Sequence, residues 1–217
     1  MKRLLSGIPV LAFALATIRA SAASTPAIAA FDQAFSKVND YTVTVQAHEV
    51  KGDRTQDRTY HYFFKRPNMA KTDIVAGDGS GSGGVWKGGN TVKGHLRIAF
   101  ITVGKTVDLH DGKATSLRGY TIPDGLIQNE VDKYKEIKGE LTQGPGPEIN
   151  GTATEAIELK IADPSAYGGI TRAVIYLSKT THFPVRQVRF EGDKIVADET
   201  FTDLKTNVGL TDGDFPF

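Results

Sequence analysis

Alternation with a period of two residues is the feature that most restricts this chain. Tyr41, Val43, Val45 and Ala47 alternate with Thr42, Thr44, Gln46 and His48. After the polar stretch Lys51-Gly52-Asp53-Arg54, Tyr60, Tyr62 and Phe64 alternate with Thr59, His61 and Lys65. Successive side chains of a strand point to opposite faces, so the two runs read as a β-hairpin with one apolar face. Such a face must be covered, and this sets the search for what covers it.

Further strands are predicted at 69–75, 95–103, 106–110, 155–162, 171–177, 184–190 and 194–202, nearly all bounded by Gly, Pro, Asn or Asp. Their spacing is that of a meandering antiparallel sheet and not of βαβ units. Two helices interrupt the pattern. Thr25-Pro26 reads as an N-cap and first-turn proline, after which Ile28, Phe31, Phe35 and Val38 recur at helical spacing, predicting a helix over 26–38. Residues 123–137 carry Ile127, Val131, Tyr134 and Ile137 on one side. Residues 76–84 are glycine-rich and read as a loop. The expected fold is mainly β with accessory helices, a long curved antiparallel sheet with a helix across its concave face.

The start of the chain has the form of a secretory signal peptide. Met1-Lys2-Arg3 precedes an apolar run to Thr17, and small residues follow around Ala22 and Ala23. The reading is a signal over 1–22 and a single mature domain over 23–217, exported to the periplasm. The run is too short to span a bilayer core. The chain has no cysteine, so the domain must be held by its own core, and a lipoprotein-type anchor is not expected. Without Lys2, Arg3 and Arg19, the 26 basic residues fall to 23 against 25 acidic ones, a formal charge of −2. That balance favours neither nucleic acid nor a polybasic membrane anchor.

Motifs for catalysis are absent or out of context. Gly79-x-Gly81-x-x-Gly84 matches a dinucleotide fingerprint as a string, but Val85-Trp86-Lys87-Gly88-Gly89 follows it and starts no helix. None of the five histidines has an i, i+4 partner, although His48 and His61 could face each other across the first hairpin. No serine stands in a Gly-x-Ser-x-Gly elbow. No metal and no cofactor is expected. What remains is a surplus of apolar side chains on one sheet face, either an ordinary core or a cavity for an acyl chain.

Two stretches bear on that choice. Phe63-Phe64-Lys65-Arg66-Pro67-Asn68-Met69 resembles the Lys-Arg-Pro-Asn segment of the LolA-like periplasmic lipoprotein carriers, and the C-terminal run Phe201 to Phe217 resembles the closing stretch of the same family. The chain departs from the family pattern at Met69-Ala70, where an aromatic residue is usual, and in its long glycine loop before Val85-Trp86. The resemblance implies an incomplete β-barrel closed by helices around an apolar cavity. It implies a non-enzymatic carrier of acylated lipoprotein or lipid, passing cargo from an inner-membrane donor complex to an outer-membrane acceptor as a monomer. On this reading Ile28, Phe31 and Phe35 line a lid, and Val43, Val45, Tyr60, Tyr62, Phe64, Met69, Trp86, Ile98 and Phe100 line the concave face. Arg66 matches the family arginine that latches the lid. The alternatives are a lipid-sensing module on the same fold and a lipid or glycan hydrolase.

Overall fold

The computed structural model describes residues 24–98 and 101–216, with the side chains of 96–98 and 101–103 not described. The predicted signal segment and Phe100 lie outside the described residues, as does the side chain of Ile98.

The chain opens with helix α1 (Pro26–Phe35), capped by the Thr25 hydroxyl, which accepts from the Ile28 amide at 3.3 Å. It ends at Phe35, three residues earlier than its apolar spacing predicts, with Ser36 as C-cap. Val38 is nevertheless buried with the helix residues in the core. The first hairpin follows as β1 (Asp40–Lys51) and β2 (Arg54–Lys65). A two-residue turn, Gly52-Asp53, fixes its register, with Lys51 opposite Arg54 and Gly52 at φ +60°. That register places His48 opposite Asp57 and His61 opposite Thr44, so the two histidines do not face each other. The His48 Nδ1 lies 2.7 Å from Asp57 Oδ1 instead.

The sheet continues through β3 (Met69–Gly77), β4 (Gly83–Trp86), β5 (Thr91–Ile98) and β6 (Ile101–Asp108). The expected strand over 95–103 is therefore two strands, with Ile98 paired to Ile101. Its apolar run carries no glycine or proline to mark the reversal. A connection from 109 to 126, ending in a 3-10 turn at Pro123–Gly125, leads to helix α2 (Ile127–Glu136). The second half comprises β7 (Gly139–Pro145), β8 (Thr154–Ile161), β9 (Arg172–Ser178), β10 (Pro184–Glu191) and β11 (Lys194–Thr206). β4 and β7 escaped the sequence reading because glycine and proline weaken strand propensity, and pairing partners supply the order instead.

All neighbours are antiparallel, in the order β6-β5-β4-β3-β2-β1-β11-β10-β9-β8-β7. The first and last strands thus pair at the centre, and meanders run outward from them on both sides. β6 and β7 remain edges, so the sheet is not closed. Asn207 fastens this central seam. It adopts φ +55°, its side-chain oxygen accepts from the Asn39 amide at 2.7 Å, and its Nδ2 donates to Lys37 O at 3.0 Å. Asparagine tolerates that left-handed conformation better than most residues.

One sheet face carries the core. Tyr41, Val43 and Val45 on β1, Tyr62 and Phe64 on β2, and Phe201 on β11 are all buried on it. Both helices pack there. Phe35 of α1 meets Tyr41 and Phe64 with ring centroids 6.4 and 6.2 Å apart, and Phe31 meets Phe183 edge-on at 5.8 Å. The α2 end is registered by the Ile127 amide, which donates to the Tyr41 hydroxyl at 3.1 Å. Ile127, Val131 and Tyr134 are buried along one side of α2, as their spacing predicts.

A roofed cavity with a charged wall

Helix α1 packs on Tyr41 and Phe64, and α2 reaches Tyr41 on β1 and Gln187 and Arg189 on β10. Over β2–β6 the cover is the irregular strap 109–126, and a cavity of about 480 Å³ lies between strap and sheet. Its apolar lining comes from Tyr60, Tyr62, Ile74, Val92 and Val107 on the strands, with Ala114 and Ile122 on the strap. Space arises where side chains are missing: the register sets Gly84 opposite Gly94, and both border the cavity. A Cβ on Gly94 would meet nothing closer than 3.6 Å, whereas one on Gly84 would press on Val92 and Ile122.

The strap is tied down by hydrogen bonds at its far end. The Leu117 amide donates to Gln56 Oε1 at 3.0 Å, and the Arg118 amide donates to Glu49 Oε2 at 2.8 Å. The Arg118 guanidinium, with its side chain only 6% exposed, donates to Val50 O at 2.7 Å, Gly168 O at 2.9 Å and Glu191 Oε1 at 2.5 Å. One side chain therefore joins the strap to the β1–β2 tip and to the far half of the sheet.

The cavity wall nearest α2 is charged. Arg189, buried on β10, donates to Glu130 Oε2 at 2.5 Å and to Glu199 Oε2 at 3.0 Å. Lys133 lies 3.5 Å from Glu130 and 3.7 Å from Asp124. Burial pushes the Glu199 carboxyl up to about 7, with Arg189 opposing the rise and Glu130 adding to it. Burial, together with the neighbouring Tyr60, Glu199 and Glu130, also raises the Tyr62 phenol well above its usual value. The described residues contain no group of three histidine, aspartate or glutamate side chains placed to hold a metal.

The residues that the sequence singles out divide between cavity and core. Tyr60 and Tyr62 border the cavity. Ile28, Phe31, Phe35, Val43, Val45 and Phe64 are buried in the core cluster beside it, outside the cavity lining. Trp86 packs against that core, with its Nε1 donating to Gly89 O at 2.9 Å, and Met69 is half-buried opposite Lys65. Arg66 donates from Nε to Val38 O at 2.6 Å and from Nη2 to Phe35 O at 3.1 Å, clasping the C-terminal end of α1. Its guanidinium also lies 5.0 Å from the Phe35 ring centroid. Sequence reasoning passed over Glu49, Glu130, Glu199, Arg189 and Arg118. The signal was present for three of them: Glu49 and Glu199 continue the inward parity of Ala47 and Phe201. Glu130 likewise lies one turn from Ile127 and Tyr134.

No protein family matches the chain, and no curated protein does. Among solved structures, it is similar to the lipoprotein LppX of Mycobacterium tuberculosis, at 16% identity over 87% of this chain and 99% of that one, with a TM-score of 0.48. It is also similar to a LolA superfamily protein from Nitrosomonas europaea, at 12% identity over 89% of this chain and 99% of that one, TM-score 0.42. A third is the Pseudomonas aeruginosa MucA/MucB complex, at 10% identity over 89% of this chain and 61% of that one, TM-score 0.46.

Proposed function

We propose that this protein holds the apolar chain of a lipid or acylated polypeptide in the strap-covered cavity and carries it, without catalysis, between membranes outside the cytoplasm. The observation that supports the reading most is the cavity itself, whose inner surface is mainly apolar and which Gly94 keeps open. At about 30 Å³ for a methylene, close to the share of one liquid water, its volume suits on the order of one acyl chain. Each methylene taken out of water contributes roughly 0.8 kcal/mol, so a single chain of that length is held firmly. Cargo with several acyl chains needs the strap to move. The signal-like segment over 1–22 supports export, and no described helix is long and apolar enough to cross a membrane. The donor and acceptor implied by the resemblance, an inner-membrane complex and an outer-membrane receptor, and the monomeric state belong to this proposal.

The test fills the cavity. Gly94→Leu adds a side chain where a Cβ makes only ordinary contacts, so the fold is retained while the space is lost. Wild type should take up N-phenylnaphthylamine, with fluorescence competed away by a long-chain alcohol, and Gly94→Leu should lose at least about tenfold in affinity. Uptake by the variant equal to wild type removes the cavity from the function. Transfer of a fluorescent acyl chain between two vesicle populations then separates a carrier, which delivers, from a sensor, which only retains.

A further inference from the structure

The near-neutral charge of the whole chain hides a local excess. From Gly79 to Val107 the sequence holds Lys87, Lys93, Arg97 and Lys105 and neither aspartate nor glutamate. That stretch forms β4 and the β5–β6 hairpin. β4 pairs with β5 only as far as Gly83 opposite His95. Beyond that point β5 and β6 pair with each other, Leu96 with Val103, Arg97 with Thr102 and Ile98 with Ile101. Each strand thus runs on past the last β4 partner by about 10 Å, at the ordinary rise of a strand.

Strand parity sorts this extension into two faces. Val92, Gly94, Lys105 and Val107 border the cavity, and Leu96, Ile98, Ile101 and Val103 hold the same parity. They continue the cavity face outward with apolar residue types alone. Lys93, His95, Arg97 and Thr102 fall on the opposite face, so the hairpin is amphipathic and cationic. A contiguous apolar stripe at the end of a sheet, rimmed by polar residues, marks an interaction surface. Nearby acids are engaged elsewhere or far off. Asp73 lies 3.3 Å from Lys71 and 3.9 Å from His95, and Asp78 is turned to β2, where it accepts the Asp57 amide at 2.9 Å. Asp108 stands at the opposite end of β6. Lys93 and the exposed Lys105 and Lys113, the last two in the cavity lining, enter no ion pair among the described residues.

We propose that the β5–β6 hairpin docks the protein on an anionic lipid surface, its apolar face entering the headgroup region while Arg97, Lys93 and Lys105 meet lipid phosphates. Interfacial segments of this kind seat about 5–10 Å deep, which the reach of the hairpin matches. Each cation close to such a surface strengthens attachment several-fold. An acyl chain leaving the bilayer then passes along the face of Leu96, Ile98, Ile101 and Val103 to the cavity. The inference takes its purpose from the cavity reading above and adds a partner to it, but its test does not depend on cavity uptake.

The chain has no cysteine, so a single introduced one takes a label alone. Ile98→Cys carrying a nitrobenzoxadiazole fluorophore should brighten and shift to the blue on vesicles of phosphatidylcholine with about a third phosphatidylglycerol. The same label at Lys160→Cys, exposed on β8, should not respond. Unlabelled mature protein should sediment with those vesicles about tenfold more tightly than with phosphatidylcholine alone, and less tightly as salt is added. Arg97→Glu should weaken sedimentation about tenfold, whereas Lys160→Glu, an equal change in net charge, should stay within about twofold of wild type. An unresponsive Ile98 label overturns the docking site, as does an equal loss in the two charge reversals. A shift at Ile98 that appears without vesicles as protein concentration rises also overturns it, and gives the hairpin to a second copy of the chain. Wild type that docks on vesicles but takes up no N-phenylnaphthylamine keeps this inference and removes the cavity reading, and uptake without docking does the reverse.

Discussion

Arg118→Leu should unfasten the roof of the cavity while leaving the sheet intact. The substitution deletes three charge-assisted hydrogen bonds, to Val50 O, Gly168 O and Glu191, and leaves the Arg118 amide bond to Glu49 in place. A bond to a charged donor is worth about 1.5–3 kcal/mol, but the three share one side chain and Glu191 is 43% exposed, so the net loss is roughly 2–4 kcal/mol. Leu109, Ile122 and Leu126 stay buried and hold both ends of the strap. The cost therefore falls on strap opening, which becomes roughly thirty- to several-hundredfold more populated. Stopped-flow release of N-phenylnaphthylamine should quicken by that order, and amide exchange should rise within 109–122 and not in β9 or β10. The control is Arg66→Leu, which removes two bonds to the end of α1. Ile28, Phe31 and Phe35 remain buried there and contribute about 1.5–3 kcal/mol each, outweighing the clasp. Its release rate should stay within about twofold of wild type. Unchanged release and unchanged strap exchange in Arg118→Leu would refute the reasoning. Release that slows several-fold in Arg66→Leu would instead assign the latch to Arg66 and α1.

Glu199 gives a pH signature. Its carboxyl sits near 7 in the fold against 4.5 as the ordinary value, so the folded protein binds that proton more tightly. Its contribution to stability is full below the ordinary value and is lost as pH rises through about 7, by about 3 kcal/mol in all. The melting temperature of wild type relative to Glu199→Gln should therefore be higher at acidic than at alkaline pH. A gap that is flat or runs the other way contradicts the burial argument. Asn207→Ala should destabilise the fold by about 1–3 kcal/mol in urea, through left-handed strain and loss of the bonds to Asn39 and Lys37. A cost below about 0.5 kcal/mol would mean that the seam is held elsewhere.

Local pattern made much of the architecture legible. The period-two runs through Tyr41 and Tyr60 determine a hairpin and its buried face, because strand geometry allows no other placement of those side chains. The register was not legible in the same way: the Gly52-Asp53 turn of the folded hairpin sets His48 opposite Asp57 and not His61. The aromatic stripe Ile28, Phe31 and Phe35 likewise determines that α1 is buried against something. It does not say what, and the structure sets it on Tyr41 and Phe64, deep in the core. The break within 95–103 was hidden because an apolar run without glycine or proline reads as a single strand.

The cavity belongs to tertiary structure alone. Gly84 and Gly94 are unremarkable in their own strands, and the hollow exists because the β4–β5 register sets them side by side under a strap whose own sequence has no period. The charged wall has the same origin. Parity turns Glu49 and Glu199 inward, but Glu130 arrives from α2 and Arg189 from β10, positions far apart in the chain. The sequence by itself determined which faces had to be buried, since periodicity is a property of neighbouring residues. Which side chains share a wall, and where no side chain fills the space, depends on long-range pairing, and that only the fold decided.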